Sequence, residues 1–196
     1  MNVYIWTSGV LKNAYIGEVV YCDFTQGDCW FTFSKKTWAI NSYWRNSNWF
    51  YWINSSSYNQ AISWKPPQSL YTKWPIKKIE IQAKTTTAWW WCWISYNLDT
   101  YFCRVWWQWN MKKWTWTDTV ETLTSEPPAN TTFTFTVDFV NKIQIYSIEP
   151  SKTIVLTDAE ITTIQNYWSN GTLDICAMLR NISWTTTYIQ NATFYF

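Results

Sequence analysis

The chain contains no histidine, so acid–base chemistry near neutral pH falls first to its 13 Asp and Glu residues. Histidine-dependent triads and mixed Cys/His zinc sites are excluded by the same observation. A glycosidase works with two carboxylates that face each other across a cleft. Glu80, Asp99, Glu121 and Asp138 lie along strand-like segments, and their spacing leaves open whether any two of them face. Asp23 and Asp28 flank Gly27 without the ligand pattern of an EF-hand, which reads as a solvated turn. No Gly-rich phosphate loop, serine-nucleophile motif or metal-ligand cluster is present, and neither cofactor nor metal is expected. Catalysis is therefore the weaker class of function, with a carboxylate glycosidase as its one open form. Binding chemistry is better supplied. Tyr43, Arg45, Asn46, Asn48 and Tyr58 combine hydrogen-bonding groups with rings in turn-rich sequence and form the candidate ligand site, where a sugar would be met by hydroxyl contacts and ring stacking.

The elements that must hold these residues are mostly strands. In Lys78 to Lys84, Ile79, Ile81 and Ala83 alternate with Lys78, Glu80, Gln82 and Lys84, which is the pattern of a half-buried strand. Thr132 to Phe139 repeats it with Phe133, Phe135, Val137 and Phe139 facing inward, and a close corner at Val140-Asn141 leads into Lys142 to Ile148, where Ile143 and Ile145 are expected in the core. Leu173, Ile175, Ala177 and Leu179 mark a further strand, residues 188–196 supply the last, and earlier strands are expected near 15–22, 29–34, 48–54, 93–97 and 100–106. Thr157-Asp158-Ala159-Glu160 has capping-box spacing, so one short helix is expected over about 157–167, ended by Asn170-Gly171. The fold class that follows is all-β: a β-sandwich of jelly-roll type with that one helix. Pro66-Pro67 and Pro127-Pro128 read as loops within it.

Composition adds an anomaly, because 19 Trp accompany only 4 Gly in 196 residues. Tight turns need residues that tolerate positive φ, and four glycines are few for so many strands. Several Trp stand beside turn formers, as in Asn48-Trp49, Ser63-Trp64-Lys65-Pro66, Trp74-Pro75 and Trp168-Ser169-Asn170-Gly171, whereas residues 117–167 contain neither Trp nor Gly. Val3-Tyr4-Ile5-Trp6 recurs as Ala14-Tyr15-Ile16-Gly17, with Trp where the second copy has Gly. These facts suggest that many Trp are misread glycine codons, since UGA is stop, Trp or Gly in different genetic codes. On that reading the Trp at 49, 64, 89–91, 107 and 168 should sit at exposed turns, bulges or strand ends, some with positive φ. The other reading is a truly Trp-rich surface, with Trp89-Trp90-Trp91-Cys92-Trp93 and Trp106-Trp107-Gln108-Trp109 as aromatic platforms.

With Gly read at 6, the segment Tyr4-Ile5-x-Thr7-Ser8-Gly9-Val10-Leu11-Lys12-Asn13-Ala14-Tyr15-Ile16-Gly17 resembles the short "YIG…GV.K…YIG" repeats of minor structural proteins from tailed bacteriophages and prophages. The resemblance is confined to about residues 2–20 and departs from the pattern at Trp6 as written. It implies a place in a tail or baseplate and carries no implication about catalysis. Residues 1–21 are accordingly an attachment hairpin and residues 22–196 the β-sandwich domain. Expected partners are other tail subunits, a homo-oligomer among them, and cell-surface glycan; expected location is the virion or the extracellular space. The alternative is a free secreted carbohydrate-binding domain or glycan depolymerase with Trp platforms.

Other classes recede. A net charge of +2 from scattered Lys and Arg argues against nucleic acid. The uncharged stretch 85–98 is too short and polar to span a bilayer, and the first residues lack a leader's pattern. Cys22, Cys29, Cys92, Cys103 and Cys176 are odd in number with no CxxC spacing; Cys22 and Cys29 bracket a loop that a disulfide could close, although buried or free thiols are the simpler reading.

Overall fold

A computed structural model describes residues 17–24, 31–36, 40–45, 50–54, 60–85, 90–96, 100–106, 110–113, 119–122, 129–179 and 185–196. Fifteen strands and two helices occur among them. In chain order they are β1 (Val19–Asp23), β2 (Thr32–Lys36), β3 (Ile40–Arg45), β4 (Phe50–Asn54), β5 (Gln60–Lys65), α1 (Gln68–Tyr71), β6 (Lys78–Thr85), β7 (Trp90–Tyr96), β8 (Thr100–Trp106), β9 (Asn110–Lys113), β10 (Thr119–Thr122), β11 (Phe133–Asp138), β12 (Ile143–Tyr146), β13 (Thr153–Val155), α2 (Asp158–Ser169), β14 (Leu173–Leu179) and β15 (Thr185–Tyr195).

These strands form two antiparallel sheets. One has the order β13-β12-β11-β6-β15-β4-β3, with β1 also paired to β15; the other has the order β10-β9-β8-β7-β14-β5-β2. The chain changes sheet repeatedly, at β1 to β2, β2 to β3, β4 to β5, β5 to β6, β6 to β7, β10 to β11 and on both sides of β14. The fold is the all-β sandwich of the sequence reading. Between the sheets lies one apolar cluster: Ile79, Ile81 and Ala83 of β6, Phe133, Phe135 and Val137 of β11, Ala192 and Phe194 of β15, and Ile94, Leu173 and Ile175 from the opposite sheet. Every second residue of β6 and β11 reaches this layer, as a pleated strand with one solvated face requires.

The helix also forms as its sequence dictates. Thr157 Oγ1 accepts from the Glu160 backbone N–H at 3.3 Å, and the Glu160 carboxylate accepts from the Thr157 N–H at 2.7 Å, which completes the capping box. At the other end Gly171 takes φ +69°, the Thr172 N–H donates to Tyr167 O at 2.9 Å and the Gly171 N–H to Trp168 O at 2.8 Å. This is a Schellman termination, for which glycine's freedom at positive φ is the natural supply.

Two expectations fail here. Ile143 and Ile145 do not face the core; Gln144 and Tyr146 do, both wholly buried, while the two isoleucines are half-buried on the outer face. The cause is the turn. Asp138 Oδ1 accepts from the Val140 and Asn141 N–H groups at 3.0 and 2.8 Å, Asn141 Nδ2 donates to Asp138 Oδ2 at 2.8 Å, and Lys142 adopts φ +56°. Closure in that register pairs Asp138 with Ile143 and Val137 with Gln144, and antiparallel partners share a face. The second failure is Trp168, expected exposed at a turn. It lies in the last turn of α2 with 0% exposure, its ring centroid 4.9 Å from Tyr71, 5.5 Å from Phe194 and 5.9 Å from Phe196, and its Nε1 donates to Lys73 O at 3.1 Å. At this position the fold holds a full indole. Trp74, by contrast, is half exposed. The non-glycine residues with positive φ among those described are Asn130 and Lys142, neither of them Trp.

At the start of the described chain, residues 1–16 of the expected hairpin lie outside the described residues, and the expected boundary after residue 21 falls within β1. Gly17 sits so close to the end of β15 that a Cβ there would meet Phe196 O at 1.7 Å. The Phe196 N–H donates to Glu18 O at 2.8 Å, and Lys77 Nζ donates to Phe196 O at 3.0 Å. The final glycine of the Tyr15-Ile16-Gly17 copy is therefore demanded by packing.

Candidate functional site

Among the described residues, polar side chains gather on the outer face of the eight-stranded sheet. Cys22 of β1 is buried, which turns Tyr21 and Asp23 outward, and the same alternation turns out Lys78, Glu80 and Gln82 on β6 and Asn191, Thr193 and Tyr195 on β15. Strand register then assembles these positions into rows that run across the strands. One row is Tyr21, Thr193, Glu80, Thr136, Ile145 and Thr153; beside it runs Asp23, Asn191, Gln82 and Thr134. On the other flank lie Val19, Tyr195, Lys78, Asp138, Ile143 and Val155. Neighbouring strands are about 4.8 Å apart, so a row of five strands extends about 19 Å.

Side chains along the rows brace one another. Tyr195 Oη donates to Glu80 Oε2 at 2.7 Å, Lys78 Nζ stands 3.0 Å from Glu80 Oε1, and the same ammonium lies 3.9 Å from the Tyr195 ring centroid. The Glu80 carboxylate is thus fixed in place and its charge is balanced. Next to it Asn191 Nδ2 donates to Gln82 Oε1 at 2.8 Å. Each amide carries an oxygen with two lone pairs and an NH2 with two N–H donors, so a single bond between them does not exhaust the hydrogen-bonding capacity of either. Tyr21, 49% exposed, contributes a ring diagonal to Asn191, a relation that places such neighbours about 7–8 Å apart. A ring, an amide pair and a braced carboxylate on one open face can stack against a sugar and hydrogen-bond its hydroxyls.

The question of paired carboxylates is answered for one pair. Glu80 and Asp138 stand diagonally on neighbouring strands of a single sheet, not across a cleft, and the oxygens of buried Asp138 hold the turn that follows β11. Glu121 belongs to β10 of the other sheet, and Asp99 lies outside the described residues. No group of three or more His, Cys, Asp or Glu that could hold a metal ion occurs among the described residues. Nor, among them, is any helix long and apolar enough to cross a membrane.

Of the residues first singled out for ligand binding, Tyr43 and Arg45 lie on β3, the edge strand of this sheet, with backbone partners Trp52 and Phe50. Asn46, Asn48 and Tyr58 lie outside the described residues. Sequence alone does not disclose the rows around Tyr21, because Lys78, Glu80, Gln82 and Lys84 read as the solvated side of a strand. That reading was correct for the strand, but only register shows which polar residues of β1, β11 and β15 stand beside them.

No family model matches the sequence, and no curated protein does. Among solved structures, the chain is similar to a sialidase at TM-score 0.51 and 8% identity, over 90% of this chain and 18% of that one. The chain thus spans under a fifth of the sialidase's length, and the likeness is one of fold. Weaker similarities are to the SPRY domain of human HERC1, with TM-score 0.46, 9% identity and coverage of 82% and 96%, and to a lectin from Bauhinia forficata in complex with GalNAc, with TM-score 0.39, 11% identity and coverage of 91% and 98%.

Proposed function

We propose that this chain is a glycan-binding module of a phage tail or baseplate, attached through its N-terminal repeat and meeting cell-surface glycan through the outer face of its eight-stranded sheet. The observation that supports the binding role is the half-exposed Tyr21 on the same outer face as the Asn191–Gln82 amide pair, diagonal to it, and the Glu80 carboxylate two strands away. The tail role is supported by the repeat ending at Tyr15-Ile16-Gly17 and by the tight seat of Gly17 against Phe196, which ties the end of that repeat to the sandwich. Fold alone would not assign either role.

The test uses the purified full chain against two ligands, host cell-wall glycan and assembled tails. Saturable binding to both is expected. Binding to tails alone would leave a purely structural role, and glycan cleavage would favour the depolymerase reading.

We further propose that part of the tryptophan content arises from glycine codons. Support comes from the repeat, where Trp6 matches a Gly17 that admits no Cβ; Trp168, seated in the core, is outside this proposal. The intact mass of protein from its native source decides the matter, and a mass that accounts for all 19 Trp overturns it.

A further inference from the structure

We infer that Asn170-Gly171 is a modification site of this chain, where the fold holds back a deamidation that proceeds only when the end of α2 opens. The chemistry belongs to the dipeptide. Gly171 N gives up its proton and bonds to Asn170 Cγ, and the side-chain nitrogen leaves as ammonia; water then opens the resulting succinimide at either carbonyl, giving aspartate or isoaspartate. Glycine in second place favours the attack, because it brings no Cβ to crowd the nitrogen. The sequence contains this one Asn-Gly pair, and Asn170 is exposed at the C-cap of α2. Asn141 is exposed too, but it precedes Lys142 and its Nδ2 is tied to Asp138 Oδ2 at 2.8 Å.

Folding sets two locks on the reaction. The first is a dihedral angle. Asn170 has φ −82° and ψ 0°, and at that ψ Gly171 N eclipses the backbone nitrogen of Asn170. A succinimide contains the Cα–C bond of Asn170 in its ring, so closure requires Gly171 N to eclipse Cβ instead. The second lock is the hydrogen bond from Gly171 N–H to Trp168 O at 2.8 Å, which engages the proton that the attack must lose. Both belong to the Schellman turn, and both release together when it opens. Thr172 fastens the same turn, since its N–H and its Oγ1 both donate to Tyr167 O, at 2.9 and 3.0 Å.

Conversion also keeps the turn from closing again. No basic residue stands in the last turn of α2, so an aspartate at the C-cap puts uncompensated negative charge at the negative end of the helix dipole. Isoaspartate adds a methylene to the main chain between Trp168 O and Gly171 N–H, which puts their hydrogen bond out of register. The turn so lost is the one that follows Trp168, whose ring packs on Tyr71, Phe194 and Phe196.

The experiment incubates the full chain in mildly alkaline buffer, with and without unfolding urea, and follows every asparagine by peptide mass spectrometry. In urea Asn170 should convert ahead of all the others, and in the folded chain it should convert about tenfold or more slowly. Thr172→Val removes the Oγ1 bond and should speed conversion in the folded chain about fivefold, with the rate in urea unchanged. The converted protein, separated by its added charge, should melt about 2–4 °C below the parent. Equal rates with and without urea, another asparagine converting ahead of Asn170 in urea, a folded-state rate unmoved by Thr172→Val, or a converted chain that melts with the parent would overturn the inference.

Discussion

The two faces of the eight-stranded sheet are built from the same strands yet do opposite work. On the inner face Ile79, Ile81, Phe135 and Phe194 have no exposure at all, and the rings and branched chains of neighbouring strands close on one another. On the outer face the residues between them, Glu80, Gln82, Thr136, Thr193 and Tyr195, are half-covered; Tyr195 donates to Glu80, Lys78 pairs with Glu80 and lies over the Tyr195 ring, and Asn191 donates to Gln82. Folding free energy is concentrated on the inner side, because apolar area removed from water there is worth about 25 cal/mol per Å². The Lys78–Glu80 pair on the outer side is itself half-buried, with side chains 13% and 27% exposed, whereas Tyr21, 49% exposed, buries little area and can serve recognition at small cost to the fold. The difference predicts that substitutions will separate cleanly into those that unfold the protein and those that abolish binding.

The largest effect should come from Trp168→Ala, which empties an indole-sized space between Tyr71, Phe194 and Phe196 and leaves the Lys73 carbonyl without its donor; roughly 3–5 kcal/mol should be lost in urea unfolding. Phe135→Ala, at the centre of the inner face, should cost about 3–5 kcal/mol as well, with glycan binding intact in whatever fraction stays folded. Thr157→Ala removes half of the capping box of α2 and should cost about 1 kcal/mol by the same measurement. Ile145→Thr then tests the inverted register of β12. As an outer-face change it should stay within about 0.5 kcal/mol of wild type, whereas a loss of several kcal/mol would return Ile145 to the core. Tyr21→Ala should be smallest in stability, within about 0.5 kcal/mol, and largest in binding.

How far the sequence revealed this arrangement depended on whether a pattern was local. The strict alternation of β6 and β11 and the Thr157–Glu160 spacing each lie within one element, and both were read correctly. β12 was misread because apolar residues were followed in preference to pairing. Yet a close corner at Val140-Asn141 already sets Val137 opposite Gln144, so the inversion was available from parity alone. Trp168 is misleading for another reason: Ser169, Asn170 and Gly171 are turn formers, but the helix runs through Ser169 and only Asn170 and Gly171 lie beyond it, so the ring belongs to the last helical turn and packs backward onto residues of α1 and β15. The short α1 after Pro66-Pro67 carries no capping side chain to announce it. The candidate face was the least legible part. Tyr21, Glu80 and Asn191 come from three distant segments, and nothing in their local sequence states that register brings them together.

The central claim, that recognition belongs to the outer face of this sheet, is tested most directly by an amide chemical-shift footprint of isotope-labelled protein at saturating glycan. Shifts should concentrate at Tyr21, Glu80, Gln82, Asn191 and Thr193 and leave Phe133, Phe135 and Ile175 in place. A footprint confined to residues 43–58, with the β1–β15–β6 rows unmoved, would contradict the claim.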